Sequence, residues 1–371
     1  MTTLRVTLDE LAAAPFGGMS RYAAELARAL IATAPDGAEV VGMVPASPEP
    51  DYARITGSLP GLTRLDKNVL ARRELAAAWR RGIARPLRPG MLHATSLLAP
   101  LGAHDRVQQP GEQVVVTIHD AIAWTSPELL SPRTVSWQKA MADRAVRYAD
   151  AVVVPSHAVA HDLAEHLDLG DRIRVIPGAP SSGLIPPHGS ARRAVDLGLP
   201  ETYLLTVASM EPKKNLPALL EALALMRTEV PLVVVSDAAD AVNDLAADAG
   251  IRDRVVALER LTDEDLGVTY LHARGYVQPS VAEGFGLAVM EALGFGLPIV
   301  HTDVPALEEL TAGAAISVPR DGDRLPARLA EALDALDGAT AERLATAAGD
   351  RARAFSWRDS AEKVWQLHAD L

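Results

Sequence analysis

The strongest constraint on the fold is an alternation of short, β-branched apolar runs with longer helical patterns along almost the whole chain. Helical spacing is clearest over residues 18–33, where apolar side chains recur on one face. Continuous apolar runs such as VVVT are typical of a parallel sheet that is covered on both faces. In the first half, the predicted strands are 4–8, 39–44, 91–94, 114–119, 151–155 and 172–176.

Residues 178–190 (GAPSSGLIPPHGS) interrupt this alternation and have the composition of a linker. After the linker, strands are predicted at 203–208, 232–236, 254–258, 276–279, 298–301 and 314–318, followed by helix from about residue 340 with a break at 355–357. Strand–helix units on both sides of one linker predict an α/β fold of two Rossmann-like parallel-sheet domains facing a cleft. We expect domains at 1–185 and 186–355, and a C-terminal helix at 356–371 that packs back on the first domain.

Composition excludes several classes of protein. The 371 residues suit two domains, and the absence of cysteine excludes disulfides, a cysteine nucleophile and thiolate-bound metals. A net charge of −12 argues against general nucleic-acid binding. Because no run approaches 18 apolar residues and the first ten residues do not resemble a signal peptide, we expect a soluble, cytoplasmic protein.

A pair of glycines, Gly17 and Gly18, lies between the first predicted strand and the first predicted helix. Glycines let a loop turn sharply and let a ligand approach the backbone, and the N–H groups at a helix start favour an anion. The surrounding residues match neither the GxGxxG fingerprint nor the P-loop pattern. A tight turn without a ligand explains the pair equally well.

Two adjacent lysines, Lys213 and Lys214, follow the predicted strand at 203–208 in the sequence EPKKN. They stand out because only five of the 36 basic residues are lysines. The carboxyl edge of an open α/β sheet is the usual ligand position, and an ammonium there can bind a phosphate as a point charge. The alternative is a solvated pair on a loop.

Glu283 and Glu291 stand eight positions apart, with the sequence GFGL between them. The glycines around Phe285 predict a loop that opens a helix, with Glu283 in the loop and Glu291 about one turn inside the helix. Such a loop can direct Glu283 and several backbone N–H groups at one polar ligand, while Glu291 can accept hydrogen bonds from a diol such as a ribose. In the alternative interpretation, Glu291 is an exposed helix residue and the glycines serve packing.

His119, followed by Asp120, ends an apolar strand in the first half of the chain. A histidine at the carboxyl end of a buried strand lies where the cleft is expected. A structural role for this single histidine is the equal alternative.

Together these stretches resemble the retaining, nucleotide-sugar-dependent glycosyltransferases of family 4, which have the GT-B fold and the motif E-x7-E. The resemblance covers nearly the whole chain. Six stretches occur in the expected order: the double glycine, HD, VVVPS, EPKKN, EGFGLAVMEAL and the closing FSWRDSAEKVWQLH.

The resemblance implies a role for each matching residue. Gly17 and Gly18 would meet the donor diphosphate, and Lys214, assisted by Lys213, would neutralise it. Glu291 would bind the ribose, and His119 would contact the sugar near the reacting carbon. The donor sugar or phosphate would be held by Glu283 and the loop that follows it, namely Gly284, Phe285, Gly286 and Leu287. The residues with an implied catalytic role are Glu283, His119 and Lys214.

The sequence also departs from the family pattern. Ser209, which we keep among the donor-site residues, stands where many members carry an arginine, and Lys213 can supply that charge. Ala288 replaces a frequent proline, and Gly275 a frequent aspartate. We expect no cofactor and no metal, since lysines and helix N-termini take the role of a cation. Residues 321–323 (DGD) resemble the metal-binding DxD of the other glycosyltransferase fold, but their setting predicts a turn.

Residues 64–88 carry eight basic residues against two acidic ones. We expect a helix here, with an apolar side formed by Leu70, Leu75, Ala77, Ala78 and Trp79. One hypothesis is that this face meets an anionic lipid surface or a lipid-pyrophosphate acceptor, and the alternative is a solvated helix that flanks the cleft. The residues assigned to acceptor or membrane contact are Arg72, Arg73, Arg80, Arg81 and Asp120.

The sequence therefore predicts a retaining, metal-independent hexosyltransferase that uses a nucleoside-diphosphate sugar and a glycan or lipid-linked acceptor. The EPKKN stretch and the HD pair resemble the branch with many mannosyl- and rhamnosyltransferases, which favours GDP-mannose. A UDP- or dTDP-sugar carrying glucose, GlcNAc or rhamnose is the first alternative. Two alternatives of another class are a nucleotide-sugar epimerase, disfavoured by E-x7-E, and a non-catalytic sugar-nucleotide-binding subunit, suggested by the departures.

Overall fold

The computed structural model describes residues 2–13, 17–83, 90–105, 108, 111–259 and 261–371. The chain divides into two compact units, one formed by Met1–Gly178 with Ser356–Leu371 and the other by Ala179–Phe355. The division falls after Gly178, so residues 179–185, which we expected in the first domain, lie in the second unit. Each unit contains one parallel sheet with helices between its strands.

The sheet of the first unit has seven strands. They are β1 (Thr2–Thr7), β2 (Ala38–Ala46), β3 (Arg64–Ala71), β4 (Met91–Ala94), β5 (Val114–Thr117), β6 (Ala151–Val154) and β7 (Ile173–Val175). Their order is β3-β2-β1-β4-β5-β6-β7, and every described pairing is parallel. Strands β4, β5 and β6 are buried along their whole length, as expected for a parallel sheet covered on both faces.

The helices of the first unit before the linker connect these strands. They are α1 (Asp9–Ala13), α2 (Gly18–Ala32), α3 (Glu49–Ser58), α4 (Arg72–Arg80), α5 (Ile122–Thr125), α6 (Pro132–Tyr148) and α7 (His157–Ala164). Helix α2 buries one face, as its apolar spacing predicts.

The second unit contains a sheet of six strands in the order β10-β9-β8-β11-β12-β13. The strands are β8 (Leu204–Val207), β9 (Leu232–Val235), β10 (Val255–Leu258), β11 (Gly275–Gln278), β12 (Ile299–Thr302) and β13 (Ile316–Val318). The helices are α8 (Ser190–Asp196), α9 (Leu216–Leu225), α10 (Ala239–Asp248), α11 (Asp263–His272), α12 (Leu287–Gly294), α13 (Pro305–Thr311), α14 (Leu325–Asp334) and α15 (Gly338–Ala352). The last helix, α16 (Trp357–Asp370), returns to the first unit.

All twelve predicted strands form, each within two residues of its predicted ends. The expected basic helix was wrong in its first half, because residues 64–71 form the edge strand β3. Its exposure alternates along the second half of the strand, and its charges are paired: Asp66 accepts from Arg5 of β1 at 3.3 Å and from Arg64 at 3.2 Å. We mistook the charged side chains of an edge strand for the polar face of a helix. Of the proposed apolar side, Leu75 and Trp79 are buried in α4.

Within the described residues, no helix combines the length and the apolar character needed to cross a bilayer.

Helix α16 is anchored to the first unit by buried polar contacts as well as by packing on α2. The Trp365 indole N–H donates to the Leu30 carbonyl at 3.2 Å, and Ser360 Oγ donates to the Pro177 carbonyl at 2.7 Å. Gln113 Nε2 donates to the His368 carbonyl at 3.0 Å. These contacts join the C-terminal helix to the segment Met1–Gly178 of the same unit.

Two buried imidazoles also meet beneath α16. His93 of β4 and His368 of α16 are 0% and 1% exposed, with ring centroids 5.7 Å apart. Within the described residues, neither ring nitrogen of either side chain has a hydrogen-bond partner. Burial lowers the pKa of His368 to about 4 and holds the pKa of His93 well below its usual range. Both side chains are therefore neutral in the folded protein at pH 7.

We expect the free energy of unfolding to fall as the pH drops from 7.5 to 5.5. The unfolded chain binds protons at both histidines near pH 6.5, whereas the folded chain does so only at lower pH, so acid favours unfolding by at most about 1.4 kcal/mol per histidine per pH unit. Urea unfolding at several pH values measures this slope, which His93→Leu and His368→Leu should each reduce. His161→Gln, at an exposed position of α7, is the control. An unchanged slope in the double variant would contradict the assignment.

Glycines at two helix starts meet different surroundings. Gly286, which precedes α12, has a left-handed φ of +88°, and an added Cβ would lie 2.5 Å from Cδ2 of the buried Leu307. Gly18, the first residue of α2, has no such φ, and an added Cβ would have no atom within 4 Å. The fold therefore requires glycine at position 286 but not at position 18.

Alanine at these two positions should have opposite effects on stability. Gly286→Ala should destabilise the second unit by about 1–3 kcal/mol, because it combines a left-handed residue with overpacking. Gly18→Ala should leave stability unchanged or raise it by about 0.5–1 kcal/mol, because it reduces the entropy of the unfolded chain. Urea unfolding measures both effects, and equal destabilisation by the two variants would contradict this distinction.

Candidate functional site

Two loops of the second unit are neighbours because of the strand order. Strand β8 lies between β9 and β11, so the loops that leave the carboxyl ends of β8 and β11 are adjacent. The loop after β8 contains a 3-10 turn at Pro212–Lys214, and the loop after β11 contains Glu283. The Val281 N–H donates to the Lys213 carbonyl at 2.9 Å, which links the two loops.

The turn that carries both lysines ends at Asn215. This residue has a left-handed φ of 49° and occupies the position before α9. Asparagine tolerates this conformation better than most residues, which explains its place between the turn and the helix. The Asn215 side chain makes no capping hydrogen bond to α9.

The two lysines have different partners. Lys214 Nζ lies 2.5 Å from Glu283 Oε1, and the two side chains are 19% and 9% exposed. Lys213 Nζ lies 3.5 Å from Oε2 of the exposed Glu211. Ser209, at the position where many family members carry arginine, donates to the same Glu211 oxygen at 3.1 Å. The structure therefore places Lys213, Lys214 and Glu283 in two adjacent loops at the carboxyl edge of the second sheet.

Buried polar side chains that the sequence analysis missed hold Glu283. Ser280 Oγ donates to Glu283 Oε1 at 2.8 Å, and Gln278 Nε2 donates to the same oxygen at 3.1 Å and to Ser280 Oγ at 2.6 Å. The Tyr276 hydroxyl donates to Gln278 Oε1 at 2.7 Å. In the sequence YVQPS, Gln278 ends the buried strand β11 and Ser280 follows it, and the two polar residues form no recognisable motif.

The protonation state of Glu283 follows from two opposing effects. Burial alone would raise its pKa, because burial penalises the charged form. The charge and hydrogen bond of Lys214, the charge of Lys213 and the Ser280 hydroxyl more than offset that effect, and the pKa is lowered. Glu283 is therefore an anion at neutral pH that accepts hydrogen bonds.

Glu291, expected one turn inside the helix, lies in α12 and is buried. Its Oε1 accepts from the Ser181 hydroxyl at 2.7 Å, and its Oε2 accepts from the Tyr270 hydroxyl at 3.0 Å. These contacts exclude the alternative in which Glu291 is a solvated surface residue. They also fix the orientation of the carboxylate.

The loop from Gly284 to Leu287 leads into α12. Gly286 supplies the left-handed conformation that precedes the helix, and Leu287 is the first helical residue. Phe285 packs edge-on against Phe355, with ring centroids 6.3 Å apart. The loop therefore ends at a helix N-terminus, where backbone N–H groups favour negative charge.

The predicted residues of the first unit have local structural partners. The Gly17 carbonyl, at the start of α2, accepts from Ser20 Oγ at 2.7 Å. His119 Nε2 donates to the Thr95 carbonyl at 2.7 Å, and the imidazole packs edge-on against Tyr22, with ring centroids 4.8 Å apart. These contacts hold His119 at the carboxyl ends of β4 and β5, close to α2.

The residues assigned to acceptor or membrane contact differ in exposure. Arg72 binds the buried carboxylates of Asp9 and Glu10, so much of its charge is already paired. The exposed members of the group are Arg73, Arg80 and Arg81, while Asp120 accepts from the Ile122 N–H at the start of α5. Two further arginines of the basic stretch, Arg85 and Arg88, lie outside the described residues.

In the described part of the chain, no three His, Cys, Asp or Glu side chains form a group that could hold a metal ion.

Two family models match successive parts of the chain. Residues 16–179 match the family model Glycosyltransferase Family 4, and residues 190–349 match Glycosyl transferases group 1. The chain is 30% identical over 267 residues to O-antigen chain mannosyltransferase B of Escherichia coli, covering 67% of this chain and 68% of that protein. It is 26% identical to D-inositol 3-phosphate glycosyltransferase of Acidothermus cellulolyticus, covering 95% of this chain and 86% of the relative.

A similar fold occurs among solved structures. The Anabaena protein HepE, crystallised with UDP and glucose, matches with a TM-score of 0.74 at 16% identity, and the match covers 100% of both chains. HepE is similar to this chain in its fold. The family models and the mannosyltransferase relative are similar to it in sequence. The chain therefore belongs to glycosyltransferase family 4 and has the GT-B fold.

Proposed function

We propose that this glycosyltransferase takes a hexose from a nucleoside diphosphate and transfers it, with retention of configuration, to a glycan or a lipid-linked acceptor. The observation that carries the proposal is the Lys214–Glu283 pair at the carboxyl edge of the second sheet. An ammonium and an ionised carboxylate side by side suit a donor that presents phosphates and sugar hydroxyls together.

The diphosphate is the part of the donor that needs positive charge. When the sugar–phosphate bond breaks, negative charge develops on the leaving diphosphate and oxocarbenium character on the sugar. In this proposal, Lys213, Lys214 and the N–H groups at the start of α12 stabilise that negative charge and lower the barrier. These groups replace a metal ion, and the reaction requires no cofactor.

The remaining steps follow the family resemblance. The acceptor oxygen bonds to the anomeric carbon on the face that the diphosphate leaves, while a donor phosphate oxygen takes the acceptor proton. Glu291, whose carboxylate is fixed by Ser181 and Tyr270, accepts hydrogen bonds from the ribose. Gly17, Gly18 and His119 are the proposed donor contacts of the first unit.

We propose GDP-mannose as the donor. The EPKKN stretch and the similarity to O-antigen chain mannosyltransferase B support this choice. A UDP-sugar is the alternative, since HepE was crystallised with UDP and glucose, although that similarity at 16% identity extends to the fold alone.

Nucleotide binding tests the proposal directly. GDP should raise the unfolding temperature more than UDP, dTDP or ADP at equal concentration, because a ligand that binds only the folded state adds about 2.7 kcal/mol at a hundredfold excess over its Kd. Lys214→Ala should abolish the shift, whereas Lys363→Ala, at an exposed position of α16, should keep it. A shift with UDP or dTDP alone would overturn the donor, and no shift with any nucleotide would favour a role without nucleotide-sugar transfer.

A lipid-linked acceptor is favoured by the surface around α4. Its exposed arginines, Arg73, Arg80 and Arg81, lie between two exposed apolar residues along the chain, Val69 (86% exposed) and Ile83 (71% exposed). Cationic side chains beside apolar ones suit the surface of an anionic membrane.

Replacing these three arginines with glutamine should reduce binding to phosphatidylglycerol vesicles about a hundredfold, because each basic residue near an anionic surface contributes about 1 kcal/mol. Vesicle sedimentation measures the effect. The control carries the same change of net charge at Arg192, Arg353 and Arg358, which are at least 78% exposed in their side chains. If both triple variants bind vesicles like the wild type, the membrane contact is wrong.

A further inference from the structure

We infer that Gln278 and Ser280 are positioning residues that hold Oε1 of Glu283 and leave its Oε2 to accept a hydrogen bond from a hydroxyl of the donor sugar. The inference rests on the proposed function, because it assumes that a nucleotide sugar binds beside Glu283. It adds that the two carboxylate oxygens have different roles, because Oε1 binds protein donors and Oε2 binds the sugar.

The hydrogen bonds at Glu283 are one-sided. Oε1 accepts from Lys214 at 2.5 Å, from Ser280 at 2.8 Å and from Gln278 at 3.1 Å. Oε2 has no hydrogen-bond partner among the described residues. It is not counted with their fully buried atoms that lack a partner, so it is accessible to solvent. Three donors on one oxygen already meet or exceed its usual capacity, so a further ligand donor is directed to Oε2.

The direction of each hydrogen bond is fixed by chemistry. Because the Tyr276 hydroxyl donates to Gln278 Oε1, the amide nitrogen of Gln278 faces Ser280 and Glu283. Ser280 accepts from this nitrogen and can donate its own proton only onward, to Glu283. The chain of donors therefore runs in one direction, from Tyr276 to the carboxylate.

Burial makes this chain rigid. Tyr276, Gln278 and Ser280 are each at most 1% exposed, so none can exchange its partner for bulk water. Thr302 Oγ donates to the Ser280 carbonyl and anchors the backbone of the loop to β12. A lysine alone would pair with Glu283 through either oxygen, whereas Gln278 and Ser280 select Oε1.

This arrangement assigns different parts of the donor to different groups. Lys214 and Lys213 act on the diphosphate, and Oε2 of Glu283 acts on the sugar. Sites that hydrogen-bond a substrate hydroxyl discriminate strongly against a sugar that lacks it or presents it in another orientation. Gln278 and Ser280 are therefore expected to affect recognition of the sugar and not of the nucleotide.

Calorimetric titrations of Ser280→Ala and Gln278→Met with GDP, GDP-mannose, UDP and UDP-glucose test the inference. In each variant, the affinity for the better nucleotide sugar should fall about tenfold, the effect of losing one hydrogen bond to a charged group. The affinity for the free nucleoside diphosphate should stay within about twofold. Ser280→Thr, which keeps the hydroxyl, should restore most of the loss.

Thr269→Val is the matched control. It removes another buried hydroxyl of the second unit, which donates to the Leu266 carbonyl at 2.8 Å and not to Glu283. It should leave both affinities unchanged, and its unfolding free energy sets the stability loss expected from a buried hydroxyl alone. If one of the two variants does not fold, the other is combined with Glu283→Gln, and the losses of the two substitutions should not add if both act through the same carboxylate.

Each outcome has a distinct meaning. If the wild type binds no nucleotide and no nucleotide sugar, the proposed function fails. If the wild type binds a nucleotide sugar but both variants bind it equally well, or lose nucleotide and nucleotide sugar to the same extent, the positioning role is wrong while the proposed function stands.

Discussion

The order of the strands in the second sheet is the constraint on which the candidate site depends. Because β8 lies next to β11, two loops separated by about 70 residues leave the same edge side by side. Lys214 and Glu283 meet there through short loops, so no long loop has to be ordered to bring them together. The crossover connections between parallel strands, which bury the apolar faces of the unit, therefore also bring the charged groups together.

A partly buried lysine–carboxylate pair usually contributes little net stability, since desolvation offsets much of the Coulomb attraction. The side chains around Lys214 and Glu283 explain why the carboxylate of this pair stays ionised. Ser280 and Gln278 supply further hydrogen bonds to the carboxylate. Burial opposes its ionisation, but the charge and hydrogen bond of Lys214, the charge of Lys213 and the Ser280 hydrogen bond lower its pKa. The carboxylate consequently keeps its charge while the lysine retains two further N–H donors for a phosphate.

The sequence pattern predicted the strands well, because parallel strands buried on both faces are short, β-branched apolar runs that alternate with longer helical patterns. It failed at β3, where the edge position allows charged residues and removes the apolar signal. The motif residues could be proposed from the sequence because glycines, paired lysines and spaced carboxylates are rare in combination. Gln278 and Ser280 were missed, since single polar residues after a strand have no pattern until tertiary structure places them beside Glu283.

Two buried polar clusters in this chain show why burial alone does not identify a site. His93 and His368 are unpartnered within the described residues, and their environment favours the neutral forms. The Tyr276–Gln278–Ser280 chain is fully hydrogen-bonded, has one direction and ends on an anion. An unpartnered pair only costs stability, whereas a satisfied chain can fix the orientation of the group at its end. The second arrangement has the properties required to present a charged group to a ligand, because its orientation is determined before the ligand arrives.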